Sequence, residues 1–167
     1  MKKILELDAI DAEILSILQA DATQSIQDIA NQIGLTNNPC WRRIKRLEER
    51  GVIERRAAII NPKIIGLSST LFVSIRVDTH EGQWLEKFAH CINQIPEIIE
   101  CHRMSGDVDY LLKVIVRDLE HYDQVYRRLI SQISGLRDVS SRFSMEELKH
   151  GTAIDVITSR QHEDSVG

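Results

Sequence analysis

One stretch constrains this chain more than any other: Asn37-Asn38-Pro39-Cys40-Trp41-Arg42-Arg43-Ile44-Lys45-Arg46-Leu47-Glu48-Glu49-Arg50-Gly51. Cys40, Ile44 and Leu47 fall at i, i+4 and i+7, which makes an apolar stripe on a helix. Asn38, Arg42, Lys45 and Arg46 fall on the opposite side as a row of donors and positive charge. Thr36 is placed to cap this helix, Pro39 is tolerated in its first turn, and Gly51 can end it. A second, shorter helix is predicted just before it. Ser25-Ile26-Gln27-Asp28 is a variant of the capping box, and Ile26, Ile29, Ala30 and Ile33 form an inward face. Gly34-Leu35 leaves only a tight connection between the two. Helix, short glycine-containing turn and basic helix is the layout of a helix-turn-helix, whose second helix enters the DNA major groove.

A basic run is commonly just a solvated helix face, so the distribution of charge matters. The 167-residue chain has a net charge of -4, which argues against indiscriminate binding to polyanions. Residues 37–63, however, hold eight Lys/Arg against three Asp/Glu, a local net of +5 inside an acidic chain. That is the footprint of a confined phosphate-binding surface. The three cysteines follow no framework spacing and point to a reduced, cytoplasmic protein. Acidic residues interrupt the apolar start of the chain, so no signal peptide is expected, and no stretch is long enough to span a membrane.

Residues 1–51 are expected to form the helix-turn-helix domain. Asp8 and Asp11 open its first helix, and Ile10, Ile14, Ile17 and Leu18 line the buried stripe. Residues 52–67 look extended, as a wing or a linker. From residue 68 strands and helices alternate. A strand contains Leu71, Val73, Ile75 and Val77, and a helix carries Trp84, Phe88, Cys91, Ile92 and Ile95 inward. Strands at 98–104 and 110–116 follow, joined by Ser105-Gly106-Asp107-Val108-Asp109. Asp118 then caps a helix with Tyr122, Val125, Tyr126, Leu129, Ile130 and Ile133 inward. A strand at 139–146 ends the pattern, and 153–157 adds a further candidate. The fold class is α+β: a ferredoxin-like βαββαβ domain over 68–159 after the helix-turn-helix, with a disordered tail at 160–167. The strand at 110–116 is apolar on both faces, which suggests that the uncovered side of the sheet meets another copy of the chain.

These residues resemble the Lrp/AsnC (feast/famine) transcriptional regulators from about Leu7 to Ser159. The resemblance is carried by Leu35-Thr36-Asn37-Asn38-Pro39-Cys40, by Arg46-Leu47-Glu48, and by Glu100-Cys101-His102-Arg103-Met104-Ser105-Gly106-Asp107-Val108-Asp109-Tyr110-Leu111-Leu112. It implies a winged helix-turn-helix bound to double-stranded operator DNA, an amino-acid-sensing domain, and homodimers that assemble to octamers. DNA contacts are expected from Ser25, Thr36, Asn37, Asn38, Trp41, Arg42, Arg43, Lys45, Arg46 and Arg50. Of these, Asn38, Arg42 and Lys45 would read bases, and Arg43, Arg46 and Arg50 would touch phosphates. Trp41 could either pack against the following segment or lie along the DNA backbone. The resemblance places effector binding at Arg103, Ser105, Gly106, Asp107, Asp109, Tyr110, Leu119, Arg142, Phe143 and Ser144. Asp109 is a candidate for an α-ammonium group, although a plain β-hairpin would also use Gly106 and the aspartates in its turn. Arg103 and Arg142 depart from the leucine-responsive pattern, which speaks against leucine, and the Asn38-Pro39-Cys40-Trp41 and Arg103-Met104 choices point toward cysteine or another single amino acid as the expected effector. No resident metal or cofactor is expected. A ferredoxin-like enzyme and a metal-responsive regulator stand as alternatives. Against them, the chain lacks phosphate-binding and nucleophile motifs, and its His and Cys spacings do not suit chelation.

Overall fold

Local capping starts the first helix as the sequence suggests. In the computed structural model, which describes residues 6–78 and 82–156, Asp8 and Asp11 form a reciprocal capping box. The Asp11 N–H donates to Asp8 Oδ1 at 2.8 Å, and the Asp8 N–H donates to Asp11 Oδ2 at 3.3 Å. Helix α1 spans Ala9–Ala20, α2 spans Ile26–Gln32 and α3 spans Asn37–Glu49. Ser25 caps α2 by accepting from the Asp28 N–H, while Thr36 sits at the cap of α3 without a side-chain hydrogen bond. Gly34 and Gly51 take positive φ at the ends of α2 and α3, where a side chain would be strained. Ile14, Leu15, Ile29, Ala30, Cys40, Ile44 and Leu47 form the core of this unit, with Ile10, Ile17, Leu18 and Ile33 packed around it.

Among the described residues, the chain divides into two compact units, one of 6–58 with 149–156 and one within 59–148. The segment after α3, expected to be extended as a wing or a linker, packs Val52 and Ile53 onto the three-helix core and is irregular over 54–61. One expectation changes at this boundary: the strand anticipated at 153–157 is absent over its described part. The backbone of Ile154 instead pairs with the side-chain amide of Gln19 on α1, donating to Oε1 at 2.6 Å and accepting from Nε2 at 3.0 Å. Val156 packs against the same three-helix core. Residues 149–156 therefore group with the helices, whereas the sequence placed them in the second domain. Ile157 and the anticipated tail at 160–167 lie outside the described residues.

The second unit is the expected four-stranded antiparallel sheet with two helices. It runs β1 Ser69–Val77, α4 Gly82–Asn93, β2 Ile98–Arg103, β3 Tyr110–Val116, α5 Leu119–Gln132 and β4 Leu136–Phe143, in sheet order β2-β3-β1-β4. This is the ferredoxin-like arrangement. Leu71, Val73, Ile75, Leu112, Val114 and Val116 pack with Phe88, Ile92, Tyr122, Val125 and Leu129 in one core. Strand β4 starts at Leu136, three residues before the expected 139, because it begins directly after the positive-φ turn at Gly135. Ile130, expected inward, is exposed. It lies just beyond the stripe that Tyr122, Val125 and Leu129 turn to the sheet.

On the opposite face Phe72 is 40% exposed, beside half-buried Leu111 and Ile115. Glu97 ties the start of β2 to α5 by accepting from Arg128 at 2.6 Å and from His121 Nε2 at 3.0 Å. The Arg117 N–H donates to His121 Nδ1, so Nε2 carries the imidazole proton. No helix among the described residues is long and apolar enough to cross a membrane.

Candidate DNA-reading face and effector cleft

The turn of an α-helix separates the side chains of α3 into three strips. At about 100° per residue, Asn38, Arg42 and Lys45 lie nearly opposite the buried Cys40, Ile44 and Leu47. All three are exposed. Arg42 makes no hydrogen bond or ion pair among the described residues, and Lys45 has only an exposed pair with Glu48 at 3.0 Å. Such a pair is a weak restraint on a lysine. On one flank Trp41 stands 47% exposed. On the other, Arg43, Arg46 and the exposed Arg50 follow one another along the helix.

Arg43 and Arg46 are occupied. Arg43 Nη1 donates to Asp8 Oδ2 at 2.5 Å and to Asp11 Oδ1 at 2.8 Å, and Arg46 Nη2 donates to Asp11 Oδ2 at 2.5 Å. Burial works to raise the Asp8 carboxyl, but the bonds from Arg43 and the Asp11 N–H outweigh it and hold the group below its ordinary value. The expectation that both arginines bind phosphate thus meets a geometry in which both face α1. Ser25 lies exposed with its hydroxyl donating to Asp28 Oδ2 at 2.6 Å, while Thr36 and Asn37 are exposed at the start of α3. Asp11 was legible as a capping residue only. The i, i+3 spacing of Arg43 and Arg46 hinted that they share a partner, but nothing local named it.

The anticipated effector residues separate into two groups. Arg103, Ser105, Gly106, Asp107, Asp109 and Tyr110 belong to the β2–β3 hairpin, next to the end of β1 where Ile75 pairs with Tyr110. Leu119, Arg142, Phe143 and Ser144 lie toward the other end of β1, where Phe143 pairs with Leu71 and the Ser144 N–H donates to the Thr70 carbonyl. Four residues of strand, roughly 13 Å, separate Ile75 from Leu71. One sheet does not bring the two groups together.

Within the hairpin, Gly106 has φ +115, and its missing Cβ would meet nothing within 4 Å. The requirement there is conformational. Asp109 Oδ2 accepts from the Val77 N–H at 2.8 Å, next to the register shift between Arg76 and Val77. Its backbone N–H donates to the Ile75 carbonyl at 2.9 Å. Asp109 is therefore a structural acceptor for β1 as well as a candidate ligand group. Arg142 donates to Ser74 on the open face of the sheet.

Beside the hairpin, between α4 and the edge strand β2, a cleft of about 390 Å³ is lined by Leu85, Phe88, Ile92, Cys101, Arg103 and Tyr110 among others. Tyr110 closes an aromatic cluster with Trp84 and Phe88, whose ring centroids lie 4.5–6.0 Å apart. Burial pushes the Tyr110 phenol up, so it remains a neutral donor. An apolar floor with an arginine at the rim suits a small molecule with one anionic end. Cys101 and Phe88 of this lining were not among the anticipated effector residues.

Comparison with known proteins finds relatives of both units. A winged helix-turn-helix DNA-binding model matches residues 7–54, and the Lrp/AsnC ligand binding domain matches residues 70–154. The glutamate uptake regulatory protein of Zymomonas mobilis is 46% identical over 151 residues, covering 90% of this chain and 92% of that protein. The DNA-binding transcriptional activator DecR of Escherichia coli is 41% identical over 150 residues, covering 90% and 99%. An AsnC family transcriptional regulator from Agrobacterium tumefaciens superposes with a TM-score of 0.85 at 47% identity, over 89% of this chain and 96% of that one. A transcriptional regulator from Neisseria meningitidis, solved as an L-Met complex, gives 0.86 at 27% identity over 92% and 99%.

Proposed function

Because the chain belongs to the Lrp/AsnC family of transcriptional regulators, we propose that α3 reads an operator and that the second unit binds a small amino acid which alters that binding. The supporting observation is the exposed strip of Asn38, Arg42 and Lys45, set opposite the core stripe of a firmly packed helix. Arg42 is the base-reading residue, since its five donors suit a bidentate bond to guanine. Arg50 serves a phosphate. The reading is of a regulator, not an enzyme, working in the cytoplasm as a homodimer or a higher assembly of dimers.

Arg42→Ala is expected to cost about 1–3 kcal/mol on the preferred operator and to relax base preference at the contacted position. Binding to a panel of single-base operator variants measures both effects. An unchanged ranking of variants would remove base reading from Arg42.

For the effector, the cleft beside the β2–β3 hairpin offers Arg103 to an α-carboxylate and an apolar floor to a side chain. Asp109 keeps the hairpin in shape. The L-Met complex of the Neisseria meningitidis relative shows that an apolar amino acid can be the ligand in such a fold. A charge-assisted bond to Arg103 is worth about 1.5–3 kcal/mol, so Arg103→Ala should weaken effector affinity roughly 10- to 100-fold. Arg103 is exposed, so the melting temperature without effector should hold. Thermal-shift screening of the twenty amino acids, followed by calorimetry on wild type and Arg103→Ala, tests this. Equal affinities would move the carboxylate site elsewhere.

A further inference from the structure

The Asp11 side chain is only 1% exposed, yet both of its oxygens are directed to the reading helix. Oδ1 accepts from Arg43 at 2.8 Å and Oδ2 from Arg46 at 2.5 Å, with the Asp8 N–H completing the shell at 3.3 Å. The Arg43 nitrogen that bonds Asp11 also reaches Asp8 Oδ2. Two carboxylates thus face two guanidiniums, and the group is neutral as a whole. It joins the first turn of α1, fixed by its capping box, to one flank of α3.

We propose that Asp11, assisted by Asp8, is a positioning residue for DNA reading: it retains Arg43 and Arg46 against α1, so that they lock the orientation of α3 and do not bind phosphate. This inference rests on the assignment of α3 as the reading helix. Arg43 and Arg46 are i, i+3 neighbours, so one carboxylate reaches both. For either guanidinium to turn to a phosphate, a buried carboxylate would lose part of its compensation, which is strongly unfavourable.

Two consequences follow for recognition. The reading strip is held at a fixed angle to the rest of the domain. In addition, two of the five net positive charges between residues 37 and 63 are withdrawn from the sequence-independent part of the affinity. With less phosphate attraction, a larger share of the binding depends on base contacts.

The test is a salt titration of full-length wild type, Arg46→Gln, Arg50→Gln and Asp11→Asn on an operator duplex and on a scrambled duplex. The slope of log affinity against log salt falls by about 0.9 for each phosphate contact removed. Arg50→Gln should lower the slope by about one, and Arg46→Gln should leave it unchanged. Asp11→Asn releases the guanidiniums, so the slope should steepen by about one to two and binding to the scrambled duplex should tighten roughly tenfold. A helix merely loosened by Asp11→Asn would weaken both duplexes without steepening either slope.

The inference is overturned if Arg46→Gln lowers the slope as Arg50→Gln does, which would place that guanidinium on the DNA. A folded Asp11→Asn protein with the wild-type slope overturns it as well. Should Asp11→Asn fail to fold, the Arg46→Gln arm decides alone. If the wild type shows no salt-dependent binding to either duplex, the DNA-reading assignment fails and this inference fails with it.

Discussion

Leu112→Asp is expected to leave the chain without a folded sheet unit. Leu112 is fully buried in β3, paired with Val73 of β1 on one side and Cys101 of β2 on the other. Helices α4 and α5 close over the same face. A carboxylate there has no cation among its packing partners in that cluster, and burying an uncompensated charge exceeds the 4–5 kcal/mol that marks the severe end of single substitutions, on the order of a domain's whole stability. Leu112→Ala should cost a more ordinary 2–5 kcal/mol, roughly, by leaving a cavity. Chemical denaturation monitored by circular dichroism should show the sheet unit's transition shifted in the alanine variant and missing in the aspartate variant. A Leu112→Asp protein that melts within a few degrees of wild type would mean that the helix-covered face has been misassigned. This position separates two roles that the apolar run at 110–116 blends together. Leu112 and Val114 belong to the core of one chain, and only the odd-numbered neighbours are available to a second chain.

Phe72→Asp is expected to leave the fold intact and split the proposed homodimer. Phe72 projects from the open side of β1 next to Leu111 and Ile115, while Lys113 and Glu100 form an ion pair at 3.3 Å nearby on the same side. An apolar centre with a polar surround is the composition of a protein interface. The operator-binding consequence is large, since a dimer engages two half-sites and gains by effective concentration. Loss of pairing should reduce operator affinity by about 100-fold or more, while binding to a single half-site changes little. Sedimentation velocity at micromolar concentration would show whether the mutant runs as a monomer. A mutant that sediments like wild type would locate the interface on another surface.

The two periodicities that define the architecture were legible in the sequence. The 3.6-residue repeat of Cys40, Ile44 and Leu47 fixed both the buried and the exposed side of α3. The two-residue repeat of Leu71, Val73, Ile75 and Val77 fixed β1. What could not be read were interactions between distant elements. Asp11 lies 32 and 35 residues from the arginines it holds, and no local pattern distinguishes a capping aspartate from one that also anchors another helix. Residues 153–156 have the composition of a strand, but a strand needs a partner ladder, and the Ile154 backbone pairs instead with the side-chain amide of Gln19. The effector candidates were named by family position, and family position carries no distance. Register alone shows that Tyr110 and Phe143 sit at different ends of the same strand. Leu136 was missed as the start of β4 because Arg137 and Asp138 interrupt the apolar alternation there.

The pairing of Gln19 with Ile154 closes across 135 positions of sequence, and this sets an order of events during synthesis. Helices α1 to α3 emerge from the ribosome before the sheet unit and can collapse around Ile14 and Leu47 by local contacts, which form fast. Their packing stays incomplete, because Val156 must arrive to cover its share of that core. It cannot do so until residues 59–148 have been translated. Folding the intervening sheet first replaces a long floppy loop with an ordered body and removes much of the entropy that otherwise opposes closure. The DNA-reading unit is therefore begun before the sensing unit is translated and finished only after the sensing unit has been made.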